Sequence, residues 1–292
     1  MQAFLLFSSK AGAENFDEAV TSFCRGEDIT DHHILSQSSE LGAARLVEVS
    51  QSYDIEKLRA QFDKVAVDVN GFTSAPSKKQ ILLSDMDCTI ITTESLDELS
   101  EFAGKGDVIK AITKRAMAGE LDFLEALYER LSILAGEPEA TLQKVVDATN
   151  IFEGADHLIR TMRHHGADCY LVSGGFTFLS SIIAAKLGFT DHMANTLDIE
   201  DGKIKGSISG AIVDSQAKLR ILSEKVENKH ISFEDTMTIG DGANDIPMLT
   251  KAGLGVAWRA KDVVKQAAAF QLNHSSHCGG LFLQGYKESE IL

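Results

Sequence analysis

Ile81-Leu82-Leu83-Ser84-Asp85-Met86-Asp87-Cys88-Thr89 joins a short apolar run to two aspartates two positions apart. A continuous apolar stretch of this length, bounded by turn signals, reads as a buried strand of a parallel sheet. Two later stretches end in the same manner. Cys169-Tyr170-Leu171-Val172 runs into Ser173-Gly174-Gly175, and Thr236-Met237-Thr238-Ile239 runs into Gly240-Asp241-Gly242-Ala243-Asn244-Asp245. In an open parallel sheet, ligands bind outside the carboxyl ends of the strands. Three strands ending this way would bring two aspartates, a hydroxyl with free backbone N–H groups, and two further aspartates to one crevice. Such a crevice suits a metal ion and a phosphate.

From residue 81 onward, strand and helix patterns alternate, which predicts a parallel α/β sheet. One insertion interrupts it. Residues 94–150 read as helices only, including 109–117, 123–134 and 137–148, and a block of that size after the first strand predicts a helical cap over the carboxyl edge. Residues 197–213, punctuated by Gly202, Gly206 and Gly210, read as a β-hairpin. Leu254-Gly255-Val256-Ala257 reads as a fourth strand ending at the single tryptophan, Trp258, taken as packing. Residues 1–75 differ from the rest: strands at 3–7, 32–36, 45–49 and 65–69 and helices at 15–24 and 55–62 give βαββαβ, the ferredoxin-like order. Residues 71–79 have linker composition, so the catalytic unit is expected over 76–292 with its cap at about 94–150.

Composition narrows the function. A net charge of −15 argues against sequence-independent nucleic-acid binding and against an anionic membrane surface. An anionic substrate would then need local positive charge or a bound cation. The four cysteines, Cys24, Cys88, Cys169 and Cys278, form no C-x-x-C pair and predict reduced thiols in a cytoplasmic protein. The N-terminus lacks the basic start of a signal peptide, and no apolar stretch approaches the roughly 18 residues of a spanning helix.

The aspartates carry the chemistry. Two ionised carboxylates ~4 Å apart repel by about 4 kcal/mol at an effective dielectric near 20. Asp241 and Asp245 would worsen this in the same crevice, so a divalent cation, a lysine or protonation is required. An all-oxygen site favours Mg²⁺. Each pair alone could be turn or cap residues; both pairs at strand ends favour the site. Gly240-Asp241-Gly242 is not a dinucleotide fingerprint, because Asp245 stands where the third glycine is needed. Ser173-Gly174-Gly175 can present a hydroxyl and N–H donors to phosphate oxygens, though alone it is a turn. Lys218 falls in the first turn of a helix capped by Asp214 or Ser215, where the dipole disfavours a cation; it marks either nearby negative charge or a solvated lysine. Arg130 falls on the apolar face set by Phe123, Leu127, Leu131 and Leu134, where it either snorkels or binds an anion. Glu94 is a helix-start acid or a partner for a substrate cation. His274-Ser275-Ser276-His277-Cys278 is read as an irregular loop, having too few ligands for a metal site.

The set D-x-D-x-T, S-G-G, a lone downstream lysine and G-D-G-x-N-D resembles the haloacid dehalogenase superfamily of phosphohydrolases. Glu94, Phe123, Arg130, the run Ala116-Met117-Ala118-Gly119 and the run Val172-Ser173-Gly174-Gly175-Phe176 are similar to the phosphoserine phosphatase family within it. The resemblance covers about residues 81–271. It implies hydrolysis of O-phospho-L-serine, the last step of serine biosynthesis, through an aspartyl-phosphate on Asp85. Asp87 would protonate the leaving oxygen and later deprotonate water. Ser173, Gly174, Lys218 and Asn244 would hold the phosphoryl group, and Mg²⁺ would lie on Asp85, the Asp87 carbonyl and Asp241, supported by Asp245. Glu94 would take the substrate ammonium, Arg130 its carboxylate, and Phe123 would close the pocket. Cys88 departs from the family's usual serine and opens a route to oxidative sensitivity. Residues 1–75 resemble an ACT-like module, which binds amino acids or forms homodimers. Two rivals remain on the sequence: a phosphotransferase passing the group from Asp85 to an alcohol, or a phosphatase for another small phosphomonoester, and, from another class, an amino-acid-binding regulatory protein with a vestigial core.

Overall fold

The computed structural model describes residues 3–10, 15–117 and 120–292. The N-terminal part comprises β1 (Phe4–Ser9), α1 (Phe16–Gly26), β2 (His32–Ser38), β3 (Gly42–Glu48), α2 (Ile55–Asp63) and β4 (Asp68–Phe72). Its four strands form an antiparallel sheet in the order β2-β3-β1-β4. Alternation along β1 feeds two cores. Leu5 and Phe7 pack with Val20, Leu58 and Phe62 of the helices. Leu6, with Leu46 and Phe72, joins a second core that includes Leu281 and Phe282 near the C-terminus. A period of two fills both faces of the sheet.

The fourth strand lies three residues beyond the sequence-based 65–69. Val65 and Val67 donate their N–H groups to the Phe62 carbonyl, and Ala66 has φ 56°. Those residues close the end of α2, so pairing with β1 begins only at Asp68. Gly71 and Phe72, counted with the linker from composition, belong to this strand.

A seven-stranded sheet follows, in the order β11-β10-β9-β5-β6-β7-β8. Its first strand, β5 (Ile81–Ser84), leads into the inserted helices α3 (Ser95–Phe102), α4 (Gly106–Met117), α5 (Phe123–Leu134) and α6 (Ala140–Ala148). After α7 (Ala155–His164) come β6 (Asp168–Phe176), α8 (Thr177–Leu187), the hairpin β7 (Asp191–Glu200) and β8 (Lys203–Ser209), and α9 (Ser215–Lys229). The chain ends through β9 (Thr236–Gly240), α10 (Ile246–Lys251), β10 (Leu254–Trp258), α11 (Asp262–Ala267), β11 (Phe270–Leu272) and α12 (Cys278–Phe282). All pairings are parallel except β7 with β8. The helix expected from residue 137 starts at Ala140, because Pro138 bridges to Lys203 and the Glu139 N–H is taken by the Gly202 carbonyl.

The strand order decides the site. β5 lies between β6 and β9, so Asp85 and Asp241, just past two strand ends, and Ser173, in the last part of β6, meet at one edge. The four inserted helices follow β5, and α3 and α5 supply side chains to the same edge.

Candidate active site

Ile81, Leu82 and Leu83 are fully buried, which fixes β5 and aims the next residues at the carboxyl edge. Asp85 is 5% exposed, and its Oδ1 accepts from the Met86 N–H at 2.7 Å. Lys218 Nζ lies 2.8 Å from the same oxygen and 2.7 Å from Asp245 Oδ1. Lys218 enters from the first turn of α9, whose N-cap Asp214 accepts from Ala217 N–H at 2.7 Å. It is completely buried, which removes the solvated-lysine reading. The two carboxylates outweigh desolvation and push its pKa up, so it stays charged.

Asp87 occupies a different environment. Its Oδ1 accepts from the Ser95 N–H at 2.8 Å and its Oδ2 from the Ser173 hydroxyl at 3.2 Å. Burial, then Glu94 and Asp85, raises its pKa to about 7. Ser173 is itself set by the Gly175 N–H at 2.8 Å. The pairing of β6 with β7 shifts register between Val172 and Phe176, which turns this segment toward the site. A Cβ on Gly175 would stand 2.5 Å from Asp87 Oδ2, so only glycine allows this approach.

Asp241 follows β9 and accepts from the Thr89 hydroxyl at 3.2 Å, while burial and then Asp85 push it up to about 6. Asp245 is fully buried and accepts from the Gly242 N–H at 3.1 Å. Carboxylate oxygens of Asp85, Asp241 and Asp245 lie within 4.8 Å of one another. Three hard-oxygen donors, two buried and Asp241 half-buried, with Lys218 against two of them, fit a divalent cation. The side chain of Asp87 is directed to Ser95 and Ser173 instead. Among the described residues this is the one such cluster, and the His274–Cys278 segment forms none. There His277 is buried with its ring 3.8 Å from that of Trp258.

A cavity of about 340 Å³ adjoins these groups, with Glu94, Arg130, Gly174 and Asn244 on its wall. Glu94 holds the N-cap position of α3, yet its side chain makes no cap hydrogen bond. Burial, then Asp241 and Asp85, raises its pKa. Arg130 reaches in from α5, its Nε donating to the Ala126 carbonyl at 3.0 Å. The side chain of Phe123 lies outside the described residues, as do Ala118 and Gly119.

Cys88 stands beside Glu94. Its Sγ lies 3.7 Å from Glu94 Oε1, and burial with Glu94, Asp241 and Asp87 pushes its pKa to about 12. A suppressed thiolate is a poor target for oxidants. Its left-handed φ of 52° shapes the tight loop after Asp87.

Sequence reading missed four contributors. Ser95 supplies an N–H to Asp87, and Leu127 closes an apolar side of the cavity. Asn195 donates to the Gly174 carbonyl at 2.8 Å and accepts from the Val213 N–H at 2.9 Å, locking the serine loop. Lys261 lines the cavity from beyond β10. The signal for it was present: the fourth apolar strand also ends in charged residues, Arg259, Lys261 and Asp262.

Residues 82–250 match the model of the haloacid dehalogenase-like hydrolase family. The chain is 37% identical to the phosphoserine phosphatase of Archaeoglobus fulgidus over 215 residues, 73% of this chain and 62% of that protein. It is 38% identical to the phosphoserine phosphatase of Methanocaldococcus jannaschii over 191 residues, 65% of this chain and 90% of that one. It therefore spans less than two thirds of the Archaeoglobus protein's length but most of the Methanocaldococcus protein's. Among solved structures, a HAD family hydrolase from Salmonella enterica subsp. enterica serovar Typhi superposes with a TM-score of 0.86 at 26% identity, covering 97% of this chain and 98% of that one. With its Rossmann-like sheet, inserted helical cap and acidic strand ends, the chain belongs to the haloacid dehalogenase-like hydrolases and, within them, to the phosphoserine phosphatase family.

Proposed function

We propose that the chain hydrolyses O-phospho-L-serine to L-serine and phosphate in a Mg²⁺-dependent reaction through an aspartyl-phosphate on Asp85. The observation that carries this reading is the split between two neighbouring carboxyls. Asp85 is pinned by Lys218 at 2.8 Å, while Asp87 is raised to about 7 and faces the same cavity. One group is thereby suited to attack and the other to hold a proton.

Asp85 attacks phosphorus as Asp87 gives its proton to the departing seryl oxygen. Asp87, now a carboxylate, then takes a proton from the water that opens the acyl phosphate, and Asp85 is restored. Ser173, the Gly174 N–H and Asn244 orient the phosphoryl oxygens. Lys218 holds Asp85 and Asp245 in place. Asp85, Asp241 and the Asp87 carbonyl, with Asp245 in support, would hold Mg²⁺, which supplies charge stabilisation of the transferring phosphoryl group. Glu94 meets the substrate ammonium and Arg130 its carboxylate, with Phe123 closing over them. Substrates lacking either charge leave Glu94 or Arg130 unpaired, which penalises sugar phosphates.

Residues 1–75 form an ACT-like accessory module in this reading, and residues 76–292 the phosphatase. The experiment is phosphate release across a panel of phosphomonoesters with and without Mg²⁺, using Asp85→Asn as control. Phosphoserine is expected to lead the panel, Asp85→Asn to abolish turnover, and Arg130→Ala to erase the preference. A wild type without that preference overturns the substrate, and turnover retained by Asp85→Asn overturns the mechanism.

A further inference from the structure

Four acidic side chains, Asp85, Asp87, Glu94 and Asp241, line the cavity against two basic ones, Arg130 and Lys261. Lys218 adds little to that balance, because it is fully buried and its ammonium is held by Asp85 and Asp245. Arg130 belongs to the cap, whereas Lys261 belongs to the sheet edge beside the carboxylate cluster. The Lys261 N–H donates to the Asp241 carbonyl at 3.4 Å, tying the loop after β10 to the loop after β9. Arg259, at a left-handed φ of 42°, turns the chain there and stacks its guanidinium on Trp258 and Phe152 at 4.9 and 5.1 Å. The base of Lys261 is thus anchored.

Its side chain is exposed and makes no ion pair among the described residues. It stands at the N-cap of α11, where the helix dipole gives a cation no benefit to folding. It shares one cavity wall with Glu94 and Asp241, so its charge acts on those carboxylates across the same space. An unpaired ammonium on an anchored backbone at an acidic cavity, placed where the fold gains nothing from it, is suited to an anionic ligand.

We propose that Lys261 is the substrate-capture residue of this site, drawing the phosphate dianion into the cavity while weakening the hold of the carboxylates on their cation. The inference rests on the phosphatase reading above and deepens it.

Calorimetric titration of the full chain separates the possibilities. MgCl₂ is titrated alone, and inorganic phosphate is titrated in the presence of Mg²⁺, for wild type, Lys261→Met and Lys261→Arg. Lys261→Met is expected to bind phosphate about tenfold more weakly, and Mg²⁺ about twofold more tightly, because one charge acts oppositely on the two ligands. Lys261→Arg should stay close to wild type on both. In turnover, KM should rise more than kcat falls, with the effect shrinking in 0.5 M salt, roughly a 4 Å screening length. Parallel weakening of both ligands, or unchanged phosphate affinity, overturns the proposal. Opposite shifts in a protein that failed to hydrolyse phosphoserine would support Lys261 and overturn only the substrate.

Discussion

Asp85 and Asp87 are the same residue type two positions apart, and their neighbours give them opposite tasks. The Lys218 ammonium lies 2.8 Å from the first, whereas the second has two hydrogen-bond donors, no cation and a nearby Glu94. This has a consequence for stability. Asp87 and Asp241 have folded pKa values of about 7 and about 6, above the ordinary carboxyl value of 3.8. Between roughly pH 4 and 7 the folded state therefore binds more protons than the unfolded one. Their stabilising contribution is complete below the unfolded pKa and is lost as pH rises through 6 and then 7. In chelator, the unfolding midpoint is expected to be several degrees higher at pH 5 than at pH 8, with saturating Mg²⁺ raising the pH 8 value most. Thermal scans of wild type and Asp87→Asn/Asp241→Asn test this; a variant keeping the full pH dependence would sink it. Lys218 illustrates how far the chain is legible at this level. Its odd place in a first helical turn pointed to negative charge, but its complete burial between two carboxylates could only come from a three-dimensional structure.

The cap helix α5 matters because it carries Arg130 into the cavity. Its start is written locally: the Asp122 side chain accepts from Glu125 N–H at 2.8 Å, and the Glu125 side chain from Asp122 N–H at 2.9 Å. The box satisfies two otherwise unpaired donors. Asp122→Ala should cost about 1 kcal/mol. Because the loss falls on the element that aims Arg130, KM for phosphoserine should rise while kcat holds. Steady-state kinetics beside a denaturant titration measure both, and a fall in kcat alone would count against this role. The bounds of this helix, residues 123–134, were readable because its cap and apolar face lie in consecutive residues. The start of α6 and the position of β4 were not. Pro138 is taken by a bridge to Lys203, and the residues before Asp68 are consumed in closing α2, both choices made outside the local pattern.

The N-terminal sheet is built into the molecule rather than hung from it. Asp68, 4% exposed, accepts from the N–H groups of Asn273, His274 and Ser275 at 2.7, 3.1 and 2.8 Å, and from the Ser275 hydroxyl at 2.8 Å. Asn70 exchanges hydrogen bonds with the backbone of Gln271 at 2.8 and 2.9 Å. Apolar packing of Leu6 and Leu46 with Leu281 and Phe282 continues the contact. Asp68→Ala strands several buried donors at once, a loss on the order of 2–4 kcal/mol. Amide exchange is expected to quicken over residues 273–275, with the active-site strands β5 and β9 affected less. Exchange in that segment matching wild type would show the latch to be dispensable.

Short apolar runs ending in acids, a helical interruption and a few capped helices are local patterns, so the sequence by itself determined the α/β sheet, the inserted cap and the grouping of aspartates at strand ends. Which carboxylates converge, which are pushed above their ordinary pKa and which lysine is shielded from solvent depend on burial and on charges brought together from residues 85 to 261. Those are properties of a low-dielectric crevice formed by adjacent strands, and only the tertiary structure creates it.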